Sequence, residues 1–253
     1  MIRPAKRKPE DNRRRWDGGE SLLAVTFDLT HTLIHSPRLA QIYREVLRRH
    51  GVVVKVSDVR REIPWVWKEF SCLADPRRDR FTSHPRGARG WWYRFLVRLC
   101  ARLEVAAPSR FAGAELFDRF TRADAWEVYP DVEATLEALK SSGLRLGLVS
   151  NWDHRLPTVL ANLGLARYFG AVEYSSGCGC EKPHPRIFHS CLASLAVPPS
   201  RALHIGDSAI EDVEGAMAVG MRALRIDRRD SRSHLLRLIT PMLRPPRRRH
   251  VSG

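Results

Sequence analysis

Leu22-Leu23-Ala24-Val25-Thr26-Phe27-Asp28-Leu29-Thr30-His31-Thr32 is the stretch from which the fold follows. Six mostly apolar residues, rich in aliphatic and β-branched types, run straight into an aspartate. Such a run reads as a strand buried on both faces of a parallel sheet, with a carboxylate at its C-terminal edge. In open α/β sheets that edge is where ligands bind. A lone Asp at a strand end is usually a turn or cap residue. Its weight comes from partners further along the chain, each at the end of another apolar run.

Working outward, the text from Tyr129 alternates between helical and strand patterns. The spacing predicts a helix over Val132–Lys140 ended by Gly143, a strand Leu144–Val149, and a helix Leu156–Leu163 ended by Gly164. A strand Ala171–Ser175, a helix Pro185–Leu195 and a strand Ala202–Ile205 follow, then a helix Glu211–Ala218 ended by Gly220 and a last strand Arg222–Ile226. Repeated βα units imply an α/β fold: a Rossmann-like, doubly wound parallel sheet with right-handed crossovers.

Between the first strand and this alternation lies about a hundred residues of helical periodicity. Leu39-Ile42-Tyr43-Val46-Leu47, Trp91-Trp92-Phe95-Leu96-Leu99 and Phe111-Leu116-Phe117-Phe120 are its apolar faces, with a polar loop expected over Asp75–Gly90. Five of the seven tryptophans fall here, so the block has the makings of its own core. The expected organisation is a basic disordered tail over 1–19 and a core over 20–35 and 127–228. An inserted α-helical cap domain spans 36–126, and a short helix with a second basic tail covers 229–253.

Composition bounds the function. No apolar run approaches the ~20 residues needed to cross a bilayer, and the arginine-rich N-terminus lacks the apolar segment of a secretory signal. The net charge of +15 sits in the ends: residues 1–15 carry +5 and residues 222–249 carry +8. Such runs read as solvated tails, with non-specific contact to nucleic acid or anionic lipid as the alternative. The five cysteines lack paired CxxC spacing, and Cys178-Gly179-Cys180 is too tight for a usual zinc knuckle. Reduced thiols and a cytoplasmic location are expected.

Four strand ends carry the chemistry. They are Asp28 with Thr30 and Thr32; Ser150-Asn151; Glu181-Lys182-Pro183; and Gly206-Asp207-Ser208 with Glu211 and Asp212 behind it. A carboxylate, a hydroxyl–amide pair, an ammonium and an acidic cluster on one rim would suit a phosphoryl group with Mg²⁺. A hard cation takes oxygen ligands, an oxyanion takes Lys and hydroxyl or amide donors, and a carboxylate can attack as a nucleophile. His184, His204 and His234 are isolated and read as structural or exposed.

In order, spacing and βα context these motifs resemble the haloacid dehalogenase superfamily, in the branch with an α-helical cap inserted after the first motif. The match covers roughly residues 20–228, and Gly-Asp-Ser-x-x-x-Asp is its most specific single motif. The resemblance implies Asp28 as the nucleophile that forms an aspartyl intermediate, with Thr32 ordering the first loop. It implies Ser150 and Asn151 on the transferring group, and Lys182 neutralising nucleophile and phosphate. Asp28, the backbone carbonyl of Thr30 and Asp207 would hold Mg²⁺, and Asp212 would support them from behind.

The expected activity is Mg²⁺-dependent hydrolysis of a small phosphate ester. The alternatives are a 2-haloacid dehalogenase-type reaction on Asp28 and a catalytically weak binding protein. The sequence departs from the family's phosphatases at Thr30, where they carry a second aspartate as general acid/base. The usual glycine before Thr32 is His31. A hydroxyl is no base near pH 7, and His31 or His35 are the neighbours that could substitute.

Overall fold

A computed structural model describes residues 20–72, 75–230 and 234–243. The expected N-terminal tail and the last ten residues lie outside them. The chain opens with β1 (Ala24–Phe27) and β2 (Ile34–His35), then enters four helices: α1 (Leu39–Arg49), α2 (Val56–Cys72), α3 (Gly87–Arg102) and α4 (Arg110–Arg119). It returns through β3 (Glu127–Val128) and α5 (Val132–Ser141) to β4 (Arg145–Ser150), α6 (Leu156–Asn162), β5 (Ala171–Tyr174) and the short α7 (Ser175–Cys178). The remainder is α8 (Pro185–Leu195), β6 (Ala202–Gly206), a wide π-type turn over Ala209–Glu214 running into α9 (Gly215–Ala218), β7 (Arg222–Arg225) and α10 (Leu235–Leu243).

All five long strands are parallel, in the order β5-β4-β1-β6-β7. Every residue of β1 is buried, because it has a strand on each side and helices on both faces. Phe27 sits level with Leu148 of β4 and Ile205 of β6, so Asp28, Ser150 and Asp207 emerge from three adjacent strands at one edge. From β1 the sheet builds outward through β4 and β5 on one side and then through β6 and β7 on the other, which makes this edge the switch point where open α/β sheets form a crevice.

Leu136, Leu139, Val159, Leu160 and Ile239 pack on one face of the sheet; Ile187, Phe188, Cys191 and Ala216 pack on the other. The helices α1–α4 enclose a separate apolar core of Ile42, Val59, Trp91, Phe95 and Leu116. That block leaves and rejoins the sheet through the antiparallel pair β2–β3. Among the described residues no helix is long and apolar enough to cross a membrane.

Several expectations change. Helix α2 is not among the expected helices: its buried Val59, Ile63, Val66 and Phe70 keep helical spacing, but Pro64 inside it reads as a breaker. Phe111, expected on an apolar face, is 80% exposed: as the second residue of α4 it precedes the face formed by Leu116 and Phe117. The segment expected as a polar loop buries Asp79 and Phe81. The helix expected over Glu211–Ala218 is a wide turn first, with the amides of Asp212 and Val213 both bonded to the Ser208 carbonyl. Part of the second basic run is no tail: Arg222 is a buried residue of β7, and Arg225 and Arg228 are struts described below.

Candidate active site

Lys182 stands at the centre of the cluster. Its side chain is 1% exposed, and the ammonium donates at 2.6 Å to Asp28 Oδ1 and at 2.6 Å to Asp212 Oδ1. Burial works against its charge, but Asp212 and Asp28 outweigh it and raise its pKa. The peptide bond from Lys182 to Pro183 is cis.

Ser150, at the end of β4, donates to the same Asp28 oxygen at 2.8 Å. Two donors therefore pin Oδ1, whereas no hydrogen bond reaches Oδ2 among the described residues. Asn151 is spent differently from expectation. Its Oδ1 accepts from the Lys182 amide at 2.7 Å and its Nδ2 donates to the Lys182 carbonyl at 3.2 Å, so the amide side chain fixes the lysine's backbone.

Asp212 is buried and both of its oxygens are engaged. Oδ1 meets Lys182 and His204 Nε2 at 3.1 Å, while Oδ2 accepts from the Ser208 amide at 2.9 Å. Burial alone would raise its pKa, but Lys182 and His204 hold it well below the usual carboxylate range. Room for this side chain exists only because residue 206 is glycine: a Cβ there would lie 2.1 Å from the Asp212 Cγ.

Sequence reading left His204 isolated. It is fully buried, and its other ring nitrogen lies 2.8 Å from the Thr26 hydroxyl. Thr26 is its register partner on β1, so the signal was available: two polar residues facing each other inside two apolar strands. Burial lowers the His204 pKa.

Asp207, one step beyond β6, is pushed up to about 7 by burial and by the charges of Asp28 and Asp212. Its carbonyl accepts from Arg225 Nε at 2.9 Å. Thr30 Oγ1 accepts from the Trp152 indole at 3.0 Å. Residue 31 needs a left-handed backbone (φ 62), which explains why glycine suits the position and why His31 is an expensive choice. Burial lowers the His31 pKa, while His35 stacks on Tyr129 at 4.5 Å.

Thr32 is fully buried and its Oγ1 has no hydrogen-bond partner among the described residues. Its carbonyl is held by Arg228 through Nε at 2.9 Å and Nη2 at 2.7 Å, and Arg228 Nη1 reaches both oxygens of Asp131. The first loop is thus braced by an arginine that composition alone assigns to a basic end. His184 caps α8, accepting from the Arg186 amide, and His234 lies 3.8 Å from Asp131.

Oxygens of Asp28, Asp207 and Asp212 lie within 4.8 Å of one another. One ammonium contacts two of the three carboxylates, and among the described residues no salt bridge reaches Asp207. An all-oxygen, under-compensated cluster fits a hard divalent cation. Asp28 Oδ2 and Asp207 are the oxygens that could hold it, since those of Asp212 are occupied.

Residues 22–220 match the haloacid dehalogenase-like hydrolase family. The haloacid dehalogenase-like hydrolase domain-containing protein 3 of Mus musculus is 33% identical over 210 residues, 80% of each chain. The glyceraldehyde 3-phosphate phosphatase of Methanopyrus kandleri is 31% identical over 217 residues, 81% of this chain and 84% of its own. Among solved structures, the HAD phosphatase of Thermococcus onnurineus is 28% identical with a TM-score of 0.56, covering 85% of this chain and 90% of that one. With the strand-edge cluster and a family match over most of the described chain, this protein belongs to the haloacid dehalogenase-like hydrolases.

Proposed function

We propose that the chain hydrolyses small phosphate esters with Mg²⁺, through an aspartyl-phosphate on Asp28. One observation carries the reading: Asp28 Oδ1 is pinned by Lys182 and Ser150 within a cluster of three carboxylates that this one ammonium does not balance. Pinning one oxygen orients the whole carboxylate, and a fixed near-attack geometry is a large share of what a nucleophilic site supplies. The Asp28 carboxylate attacks phosphorus, the bond to the leaving oxygen breaks, the leaving group departs as its anion, and the negative charge on the transferring group faces Lys182. Water then attacks phosphorus, its proton passes to solvent or to the phosphoryl oxygens, the bond from phosphorus to the Asp28 oxygen breaks, and phosphate leaves with the carboxylate restored. Bound Mg²⁺ would neutralise phosphoryl oxygens; Asp28, Asp207 and the Thr30 carbonyl are its ligands in this reading, and Asp212 orients Lys182. Thr32 orders the first loop through its carbonyl, and the helices of 36–126 act as the cap.

Support for phosphate chemistry comes from the cluster and from relatives named as phosphatases. A departing halide needs no divalent metal, so the acidic cluster would stand uncompensated in a dehalogenase. The test is Asp28→Asn in the presence of Mg²⁺. Turnover of p-nitrophenyl phosphate and acid-stable phosphate on the protein should both vanish while the fold persists. Activity surviving in Asp28→Asn, or halide released from a 2-haloacid in the presence of chelator, would overturn the reading.

A further inference from the structure

The peptide that carries Lys182 is gripped from two directions. From the sheet side, Asn151 bonds both its amide and its carbonyl. From the other side comes the loop of the helical insertion before α3. The Asp79 amide donates to the Gly179 carbonyl at 3.1 Å, and the Glu181 amide donates to the Pro76 carbonyl at 2.9 Å. Arg80 closes the grip: its backbone amide and its Nε each donate at 2.7 Å to Glu181 Oε1, and Nη2 reaches Oε2.

This is no surface ion pair. The Glu181 side chain is 2% exposed and that of Arg80 12%. The guanidinium also lies 5.8 Å from the centre of the Trp91 ring, in the insertion's own aromatic core. Removing one partner of a dry pair strands the other charge, so the contact is strongly held. Simple docking of the insertion has a second anchor elsewhere. Asp153 and Arg155 pair in the loop after β4, with Trp92 donating to Asp153 and Arg155 to the Phe117 carbonyl. The Arg80 contact is distinct in ending one residue from the lysine.

We propose that Arg80 is a positioning residue: through Glu181 it sets the backbone of Lys182, so that the ammonium reaches Asp28 and Asp212 together. The insertion is then a structural part of the site. Lifting its loop from the sheet breaks the ion pair and two backbone bonds at once, and leaves the Lys182 peptide to the Asn151 bonds and the local turn between Glu181 and His184. The site is complete only when the loop is docked. The proposal rests on the reading of Lys182 given above.

The test compares the native full-length chain with Arg80→Met, Arg80→Lys and the double variant Arg80→Met/Glu181→Met. Turnover of p-nitrophenyl phosphate with Mg²⁺ is one readout, and amide hydrogen exchange across residues 176–184 is the other. Arg80→Met should lower kcat by ~10–100-fold with KM little changed, the scale of a catalytic group displaced by a fraction of an ångström to an ångström. Exchange at Glu181 and Lys182 should quicken about tenfold, as expected for one lost charge-assisted hydrogen bond. Arg80→Lys, which keeps the charge without the fork, should fall between. The double variant leaves no stranded charge, so it should fold where Arg80→Met does not, and it should stay slow.

Native turnover in the double variant would overturn the proposal. So would a fall in kcat without faster exchange, or a rise in KM at unchanged kcat, which would put Arg80 on the substrate instead. A native chain that hydrolyses no phosphate ester would strike the reading of the site, and the exchange comparison would still decide whether Arg80 braces Lys182.

Discussion

Trp152 donates its indole N–H to the Thr30 hydroxyl at 3.0 Å, tying the loop after β4 to the loop after β1 two residues beyond Asp28. The hydroxyl accepts there and keeps its own hydrogen to donate. It can therefore stabilise a developing negative charge, but it cannot take a proton from water near pH 7. Trp152 in turn packs on Trp126 at 5.3 Å, and Trp126 packs against both the insertion's core and that of the sheet. The residue where the sequence departs from its family's phosphatases is thus fastened to the junction of the two cores.

Thr30→Asp should raise turnover of p-nitrophenyl phosphate, by at most the ~10²–10⁴ of a general base. A carboxylate at this place can accept the same indole N–H. Its nearness to Asp28 raises its pKa and limits the gain. In the native chain, attack on a substrate with a good leaving group proceeds and the following hydrolysis is slow, so acid-quenched protein should carry phosphate; in Thr30→Asp that occupancy should drop. Steady-state rates with quench labelling check both. Brisk native hydrolysis that Thr30→Asp lowers would show that another group already activates water.

Gly206→Ala should cost most of the activity. The added Cβ would lie 2.1 Å from the Asp212 Cγ and 2.2 Å from its Oδ2, so the carboxylate must move, and with it the partner of Lys182 and His204. Overpacking of this kind costs ~1–3 kcal/mol, visible as a lower melting temperature alongside the loss of turnover. Unchanged kinetics would mean that Asp212 has no part in holding Lys182.

The doubly wound core was legible because its strands are continuous apolar runs and its helices end at glycines; Gly143, Gly164 and Gly220 all have positive φ. The cluster of Asp28, Ser150, Lys182, Asp207 and Asp212 was legible for a related reason: each residue closes, or closely follows, an apolar run. What escaped depends on long-range register or on charge in context. His204 joins the site only because β6 lies beside β1. Arg228 and Arg80 look like surface charge until Asp131, Thr32 and Glu181 are seen to surround them. Asn151 could be placed at the rim, but not its choice of the Lys182 peptide as partner, which depends on the loop's path.

Acid should weaken the seam between insertion and sheet through Asp153. Burial favours its neutral form, but the hydrogen bonds and charge of Arg155 outweigh this and hold its pKa below the usual range. A carboxylate with a folded pKa below its unfolded value contributes stability that is complete above the unfolded value, about 4. That contribution is lost as pH falls from there through the folded pKa. Asp153→Asn should flatten the acid limb of a melting-temperature profile below about pH 4, at the expense of lower stability at neutral pH. An unchanged acid limb would show that the pair adds nothing to the seam.

The two basic ends should separate cleanly from the fold, but the C-terminal cut must fall later than charge alone suggests. Helix α10 buries Leu235 and Ile239 completely and Met242 to 9% exposure, against the same core as Leu136 and Leu139 of α5. Its first amide is bonded to Asp131, the residue that also holds Arg228 and so the carbonyl of Thr32. A chain of residues 20–243 should therefore melt and turn over like the full protein. A chain ending at 234 should lose stability by several kcal/mol, since burying each large aliphatic side chain contributes ~1.5–3 kcal/mol. It should also lose turnover beyond that, because Asp131 no longer has the helix to hold it under Arg228. Thermal melts and p-nitrophenyl phosphate rates of the two truncations decide the matter. Equal behaviour would mean that α10 is an ornament of the fold, and a failure of 20–243 to fold would mean that the basic ends are part of it.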